Sequence, residues 1–391
     1  MPARELPSRP NLDQYRKQAK DLVREYEART PEAIARIGHL HQRFKERTPA
    51  RGRTFRLADA QRVIAREHGF ESWTTFASEI RRLVARESER AGAPPSRAAI
   101  FVVDLDLTTD EVNTCAFTRD GRRAITGAHG NPVRVWDVET GRCVVSLDDR
   151  TVAAWATTWS DDERHVFVGT RDGSVQMWNA DTGARVHDQK SHHELVRCID
   201  STGDARRVLS GSGKWDGTVK LWEVESGHLL QTLEGHAEGI YEVVFDRAER
   251  RALSGSRDTT IRLWDLQSGR CLRVFTGHSY HVHSIAWSTD ERRILSSSSD
   301  IRLWDVDTGR CLRVFTGHTQ TIRKVAWRAD QRQALSASHD GSVRLWDVDR
   351  GTCMRVFEGH PVGVITVAWS PDERRAYSCD WNGGIRHWDV S

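Results

Sequence analysis

The chain has 391 residues, 58 Lys and Arg against 55 Asp and Glu, and 15 Trp, with no run of 18 apolar residues anywhere. That length allows two or three domains, and the absence of such a run argues against a membrane-spanning helix. The charge is uneven: residues 1–97 carry 21 basic and 13 acidic side chains and the remainder 37 and 42, so a segment of net +8 precedes one of net −5. The asymmetry places a domain boundary near residue 97 and gives the two parts different surfaces.

The first part reads as helical. Asn11 caps a helix that buries Leu12, Tyr15, Ala19, Leu22, Val23 and Tyr26. Thr30-Pro31 restarts the chain as N-cap and first helical residue, and Ile34, Ile37, Leu40 and Phe44 form the next stripe. After a loop at Arg51–Thr54, Leu57 to His68 predicts a third helix closed by Gly69, and Ser72 caps a fourth that turns Trp73, Phe76, Ile80 and Leu83 inward. Residues 1–90 are therefore expected to form a small all-α domain of about four helices, and 91–98, with Pro94-Pro95, a stiff linker. Leu57 to Trp73 and the pattern Leu12-x-x-Tyr-x-Lys-x-Ala-Lys-x-Leu22 resemble an N-terminal helical module found on bacterial ankyrin-repeat and other multidomain proteins. That resemblance implies a bacterial source and no particular activity. A basic helical piece can touch nucleic acid through phosphates, but Glu and Asp interrupt the arginines on every helix, which describes a solvated surface.

A period governs the rest. Trp136, Trp178, Trp222, Trp264, Trp304, Trp346 and Trp388 stand at steps of 42, 44, 42, 40, 42 and 42 residues. The clearest unit runs from Gly317-His318 through Val325-Ala-Trp327, Gln333 to Gly341, Ser342 to Val348 and Thr352 to Phe357, four β-rich runs between turns. The last unit stops after its third run, while Ala99-Ile-Phe-Val-Val-Asp-Leu105 stands without a partner before the first and aligns with Cys311 to Phe315. These units resemble the WD-repeat β-propeller family across about 99–391. The resemblance implies an all-β seven-bladed propeller with strand-exchange ring closure, the outer strand of the last blade coming from about 99–105.

It also implies a hydrogen-bonded tetrad in each blade: His192, Ser210, Asp216 and Trp222; His236, Ser254, Asp258 and Trp264; His278, Ser296, Asp300 and Trp304; His318, Ser336, Asp340 and Trp346. The fifth unit lacks two residues after Asp300, so its loop must be tighter. The seventh has His360, Ser378 and Trp388 but Asn382 where Asp is expected. The first has Thr108 and Gly130 in place of His and Asp, and the second keeps Asp172 but has Arg150 and Val168. A Ser-His-Asp set recurring around a ring is structural, since catalytic constellations occur once.

In that family one face, here the top, gathers the loop residue before the tetrad Asp and the residue two past the His. Here these include Arg171, Trp215, Arg257, His339 and Trp381, with Glu238 and Tyr280, a composition suited to protein contact. On the opposite face Arg pairs such as Arg250-Arg251 and Arg374-Arg375 stand beside acids and are expected to form ion pairs. The set His278, His281 and His283 is too small for a closed metal site once His278 serves its tetrad. Seven cysteines lack any Cys-x-x-Cys pair, and Cys143, Cys271, Cys311 and Cys353 are expected as small buried hydrophobes in a reducing compartment. With no secretory signal at Met1–Pro7, a cytoplasmic location is expected. The leading functional expectation is a scaffold binding a peptide or protein segment on the top face, without cofactor, metal or membrane. The alternatives are nucleic-acid association through the basic helical domain and a propeller-based enzyme. An enzyme needs carboxylates in the central channel, where Asp200 and Glu242 are the exceptions to a run of small and apolar residues.

Overall fold

A computed structural model describes residues 12–28, 30–40, 57–70, 76, 101–104, 112–128, 132–147, 153–213 and 216–390. It divides into two compact units, the first within 1–96 with 107–109 and the second holding the remainder.

In the first unit α1 (Leu12–Glu27), α2 (Pro31–Leu40) and α3 (Leu57–Glu67) pack around Tyr15, Ala19, Leu22, Ala33, Ile37, Val63, Ile64 and Phe76. Gly69, at φ 84°, ends α3 as expected. Ile34 departs from the expected stripe: it is 38% exposed, and Ala33 with Ile37 supplies the buried i, i+4 pair of α2. The Arg36 guanidinium forks onto the Glu67 carboxylate at 2.5 and 2.7 Å. The expected fourth helix, Phe76 aside, and the 91–98 linker lie outside the described residues.

The second unit is a ring of seven four-stranded antiparallel sheets. Six are built from consecutive strands. The seventh takes three strands from Val364–Trp369, Arg375–Asp380 and Gly384–Asp389 and its outer strand from Phe101–Asp104, in the register Phe101↔His387 to Asp104↔Gly384. The strand exchange read from the unit count is therefore present.

Each blade's second strand is clamped between two neighbours and buries four or five residues in succession, as in Arg251–Ser256. That packing leaves little room: a Cβ on Gly255 would stand 2.8 Å from Val282 Cγ1 of the next blade. The repeated Gly-His step has a similar cause. Gly317 sits at φ +149°, and a Cβ there would meet Arg344 Nη1 at 2.5 Å. Five of the repeat tryptophans, Trp136, Trp264, Trp304, Trp346 and Trp388, are each 1% exposed, and the last four lie in core clusters that join strands of adjacent blades.

The cysteine expectation needs correction. Cys143 and Cys311 are exposed, and Cys271 and Cys353 are half-buried. They open the outer strands beside a bulge opposite the repeat Trp, where the Cys271 thiol reaches the Arg273 carbonyl at 3.4 Å. The buried thiols are Cys115, Cys198 and Cys379.

Candidate functional site

The tetrads assemble in blades three to seven. In blade four His236 Nδ1 donates to Asp258 at 2.7 Å, Nε2 accepts from Ser254 Oγ at 2.7 Å, and the Trp264 N–H reaches the same oxygen at 2.8 Å. A carboxylate can only accept, so the tautomer and every proton in the chain are set. The same pattern joins His192, Asp216, Ser210 and Trp222 in blade three and His318, Asp340, Ser336 and Trp346 in blade six. Burial works to raise the carboxyl pKa of Asp216, Asp258 and Asp340. Hydrogen bonds from the histidine and a nearby hydroxyl outweigh it and hold all three well below the usual range.

Blade five keeps its tetrad despite the shorter loop: His278 meets Asp300 at 3.0 Å and Ser296 at 2.6 Å, and Trp304 meets Ser296 at 2.8 Å. Two residues are gone, so the hydroxyl that usually supports the Asp is replaced by the Arg302 fork at 3.1 to 3.3 Å. Blade seven differs from expectation. Its acceptor is not at Asn382 but at Asp380, on the strand two residues earlier, which takes His360 Nδ1 at 2.8 Å and the backbone N–H groups of Asn382 and Gly384. Ser378 and Trp388 complete it. In blade two Gln176 Oε1 accepts the Trp178 N–H at 3.2 Å, standing in for the serine that Val168 replaces. In blade one Thr126 does this for Trp136 at 2.7 Å. Thr108, Gly130 and Arg150 lie outside the described residues.

The bottom rim is closed by ion pairs. Arg207 Nη2 meets Glu249 at 2.9 Å and Arg251 Nη2 meets Glu291 at 2.9 Å, each reaching from one blade to the next. The same glutamates accept backbone N–H groups from Gly203 and Arg247. Arg251 and Arg293 also lie over Trp287 and Trp327, each at 5.3 Å. These arginines are used up within the fold.

The top is different. The seven inner strands enclose an open cavity of about 460 Å³ along the ring axis. One equivalent position in each unit lines the upper part of this cavity: Asn113, Trp155, Arg197, Tyr241, His283, Arg323 and Ile365, the second residue of the inner strand except for His283, which directly precedes its strand. Arg197 lies over the Tyr241 ring at 4.0 Å, and the His283 ring meets Tyr241 edge-on at 4.7 Å. Arg323 Nη1 donates to His283 Nδ1 at 3.3 Å. Burial, aided by Arg323 and Arg197, pushes the His283 pKa down to about 2, so the ring is neutral.

Several expected top-face residues gather here. Trp381 lines the cavity and meets the His339 ring edge-on at 4.5 Å. Tyr280, 46% exposed, stacks on His281 at 4.0 Å, and that ring stacks in turn on Tyr241. Arg257 pairs with Glu238 at 3.0 Å. Arg171 is exposed in blade two, and Trp215 lies outside the described residues. The two channel acids are both engaged. Asp200 accepts from the Phe245 and Ser201 N–H groups, its pKa raised to about 7 chiefly by burial, and Glu242 pairs with Lys324 at 3.0 Å. Among the described residues no group of three His, Cys, Asp or Glu converges as a metal site would require.

The unexpected members are Arg197, Tyr241, His283 and Arg323. A signal for them does exist in the sequence. Their column follows the constant apolar position Val112, Ala154, Val196, Ile240, Val282, Ile322 and Val364, and it changes character from unit to unit.

Comparison with known proteins agrees with this architecture. A family model described as IFT122 first beta-propeller matches residues 212–391, and one described as WD domain, G-beta repeat matches 141–179 and 183–223. Among curated relatives, "DENN domain and WD repeat-containing protein SCD1" of Arabidopsis thaliana is 24% identical over 38% of this chain and 12% of its own length. "Mitochondrial division protein 1" of Eremothecium gossypii is 24% identical over 39% of this chain and 18% of its own. "Periodic tryptophan protein 2 homolog" of Caenorhabditis elegans is 26% identical over 36% and 15%. The chain thus spans less than a fifth of the length of these relatives. All three are eukaryotic, so the bacterial source suggested by the helical module finds no support among them.

Proposed function

This chain belongs to the WD-repeat β-propeller family, and from that premise we propose that it is a non-catalytic interaction scaffold whose top face holds a peptide or protein segment of a partner. The observation that carries the reading is the open mouth of the channel, where Trp381, Tyr280 and Tyr241 offer aromatic surface around an entrance that a side chain can enter. Such side chains dominate the energetics of protein contacts. The non-catalytic part is supported by the engagement of Asp200 and Glu242 in bonds of the fold itself. A cytoplasmic setting belongs to the same proposal and suits seven free cysteines. The test is selection of peptides from a display library by the intact protein and by a Trp381→Ala/Tyr280→Ala variant. Peptides selected by the first and lost by the second support the reading. A variant that retains them equally well rules out this face.

A further inference from the structure

The arginines of the upper ring are not paired as those of the bottom rim are. Arg197 and Arg323 both line the cavity, and among the described residues neither has a carboxylate partner. Arg197 lies against the rings of Tyr241 at 4.0 Å and Trp155 at 5.6 Å, and Arg323 bonds to His283. The Nε atoms of both, and His283 Nε2, are buried without a hydrogen-bond partner. Because His283 Nδ1 accepts from Arg323, its Nε2 carries the proton, and all three unpartnered atoms are donors.

The neighbouring charges do not cancel this excess. Lys324 holds Glu242, Arg257 holds Glu238, and His283 and His339 are neutral, the latter pushed down to about 4 by burial and by Arg323. Burial, with the field of Arg197, brings the Arg323 pKa down to about 10. Two like charges share one confined mouth. Water cannot offset two positive charges, whereas an oxyanion can.

We propose that the mouth of the channel recognises a carboxylate side chain, Asp or Glu, on the bound peptide segment, with Arg197 and Arg323 as its two holders and His283 as a third donor. The inference rests on the peptide-binding reading of the top face and names the partner's chemistry. Trp381 and Tyr241, at the same mouth, supply apolar surface for residues flanking the acid. Buried charge pairs of this kind discriminate strongly, because an uncharged analogue leaves the guanidiniums uncompensated.

The test uses the full chain and two fluorescein-labelled hexapeptides, acetylated and amidated, one all Glu and the other all Gln, followed by anisotropy in about 0.15 M salt. The Glu probe should bind the unaltered protein at least about tenfold more tightly than the Gln probe. Arg197→Gln/Arg323→Gln should weaken the Glu probe about 100-fold, Arg197→Lys less, and the bottom-rim change Arg250→Gln hardly at all. The comparison of probes on the unaltered protein stands even if the double variant fails to fold, which a thermal melt reveals. Equal binding of the two probes, or a folded double variant that keeps the Glu probe, would overturn the proposal. Tighter binding of a six-nucleotide oligothymidylate than of the Glu probe would also overturn it. Display selection of non-acidic peptides, lost in Trp381→Ala/Tyr280→Ala, would leave peptide binding in place and remove only the carboxylate.

Discussion

Blade four and blade two bury the same tryptophan against the same kind of neighbour, yet they hold it differently. In blade four Trp264, Ser254, His236 and Asp258 form one continuous chain from the core to the top loop. In blade two Trp178 rests on Gln176, and Gln176 reaches sideways to Asp188 on the outer strand. The indole N–H is satisfied in both, so both folds are stable. Only the four-membered chain also fixes the loop that carries the next inner strand. The seams vary independently of this: Glu163, Glu249, Glu291 and Glu373 each accept a backbone N–H from the preceding blade, whereas Ala205 and Gly121 occupy the corresponding positions in blades three and one. A propeller therefore requires a partner for each buried tryptophan everywhere, but rigid loops and latches only in part of the ring.

That contrast can be broken in four ways. Ser254→Ala strands both His236 Nε2 and the Trp264 N–H and should cost about 3 kcal/mol in urea unfolding, at roughly 1–3 kcal/mol for each buried orphan. Gln176→Ala strands only the Trp178 N–H and should cost about half as much; the reverse order would mean that the tetrad does not act as a unit.

Acid should act next. Burial, as the leading cause, holds His283, His339 and His387 down to about 2, 4 and 4, below the unfolded value of about 6.5. The unfolded chain then takes up protons first, so stability falls as pH drops below about 6.5, by up to about 1.4 kcal/mol per unit for each group, less for the partly wet His339 and His387. Asp200, raised to about 7, works the other way between about pH 4 and 7, leaving a net loss. A melting temperature that rises from pH 6.5 to 4.5 would contradict this balance.

Amide exchange should find blades one and two roughly tenfold less protected than blades three to six, about 1.4 kcal/mol in local opening. Uniform protection would erase the comparison. The smallest effect belongs to Glu249→Gln, which keeps a backbone acceptor and removes one half-exposed ion pair, for about 0.5–1 kcal/mol.

The repeat made most of the fold legible, because Trp and His-Ser-Asp recur at a fixed spacing and the missing outer strand could be counted. What stayed hidden followed from reading by columns. Asp380 was overlooked because the acceptor was sought at the position of Asn382, although a carboxylate two residues earlier on the strand reaches the same imidazole. Gln176 was overlooked because it replaces Ser from a different strand. At the candidate site, Trp381, Tyr280, His339, Arg257 and Glu238 were named from loop position. Arg197 and Arg323 were missed because attention to constant columns passes over a column that varies. Ile34 shows the limit of helical periodicity, since a one-residue rotation of α2 exchanges it for Ala33.

The exchanged strand has a consequence for the order of events during synthesis. Phe101 pairs with His387, a residue made 286 positions later. At about 5–20 residues per second a nascent strand waits roughly 15–60 s before its partner exists. Throughout that interval Phe101–Asp104 presents a bare hydrogen-bonding edge, and blade seven cannot be completed. Ring assembly is thus timed by its earliest segment awaiting its latest, and a nascent chain stalled within the seventh unit would expose an adhesive edge that the finished protein conceals.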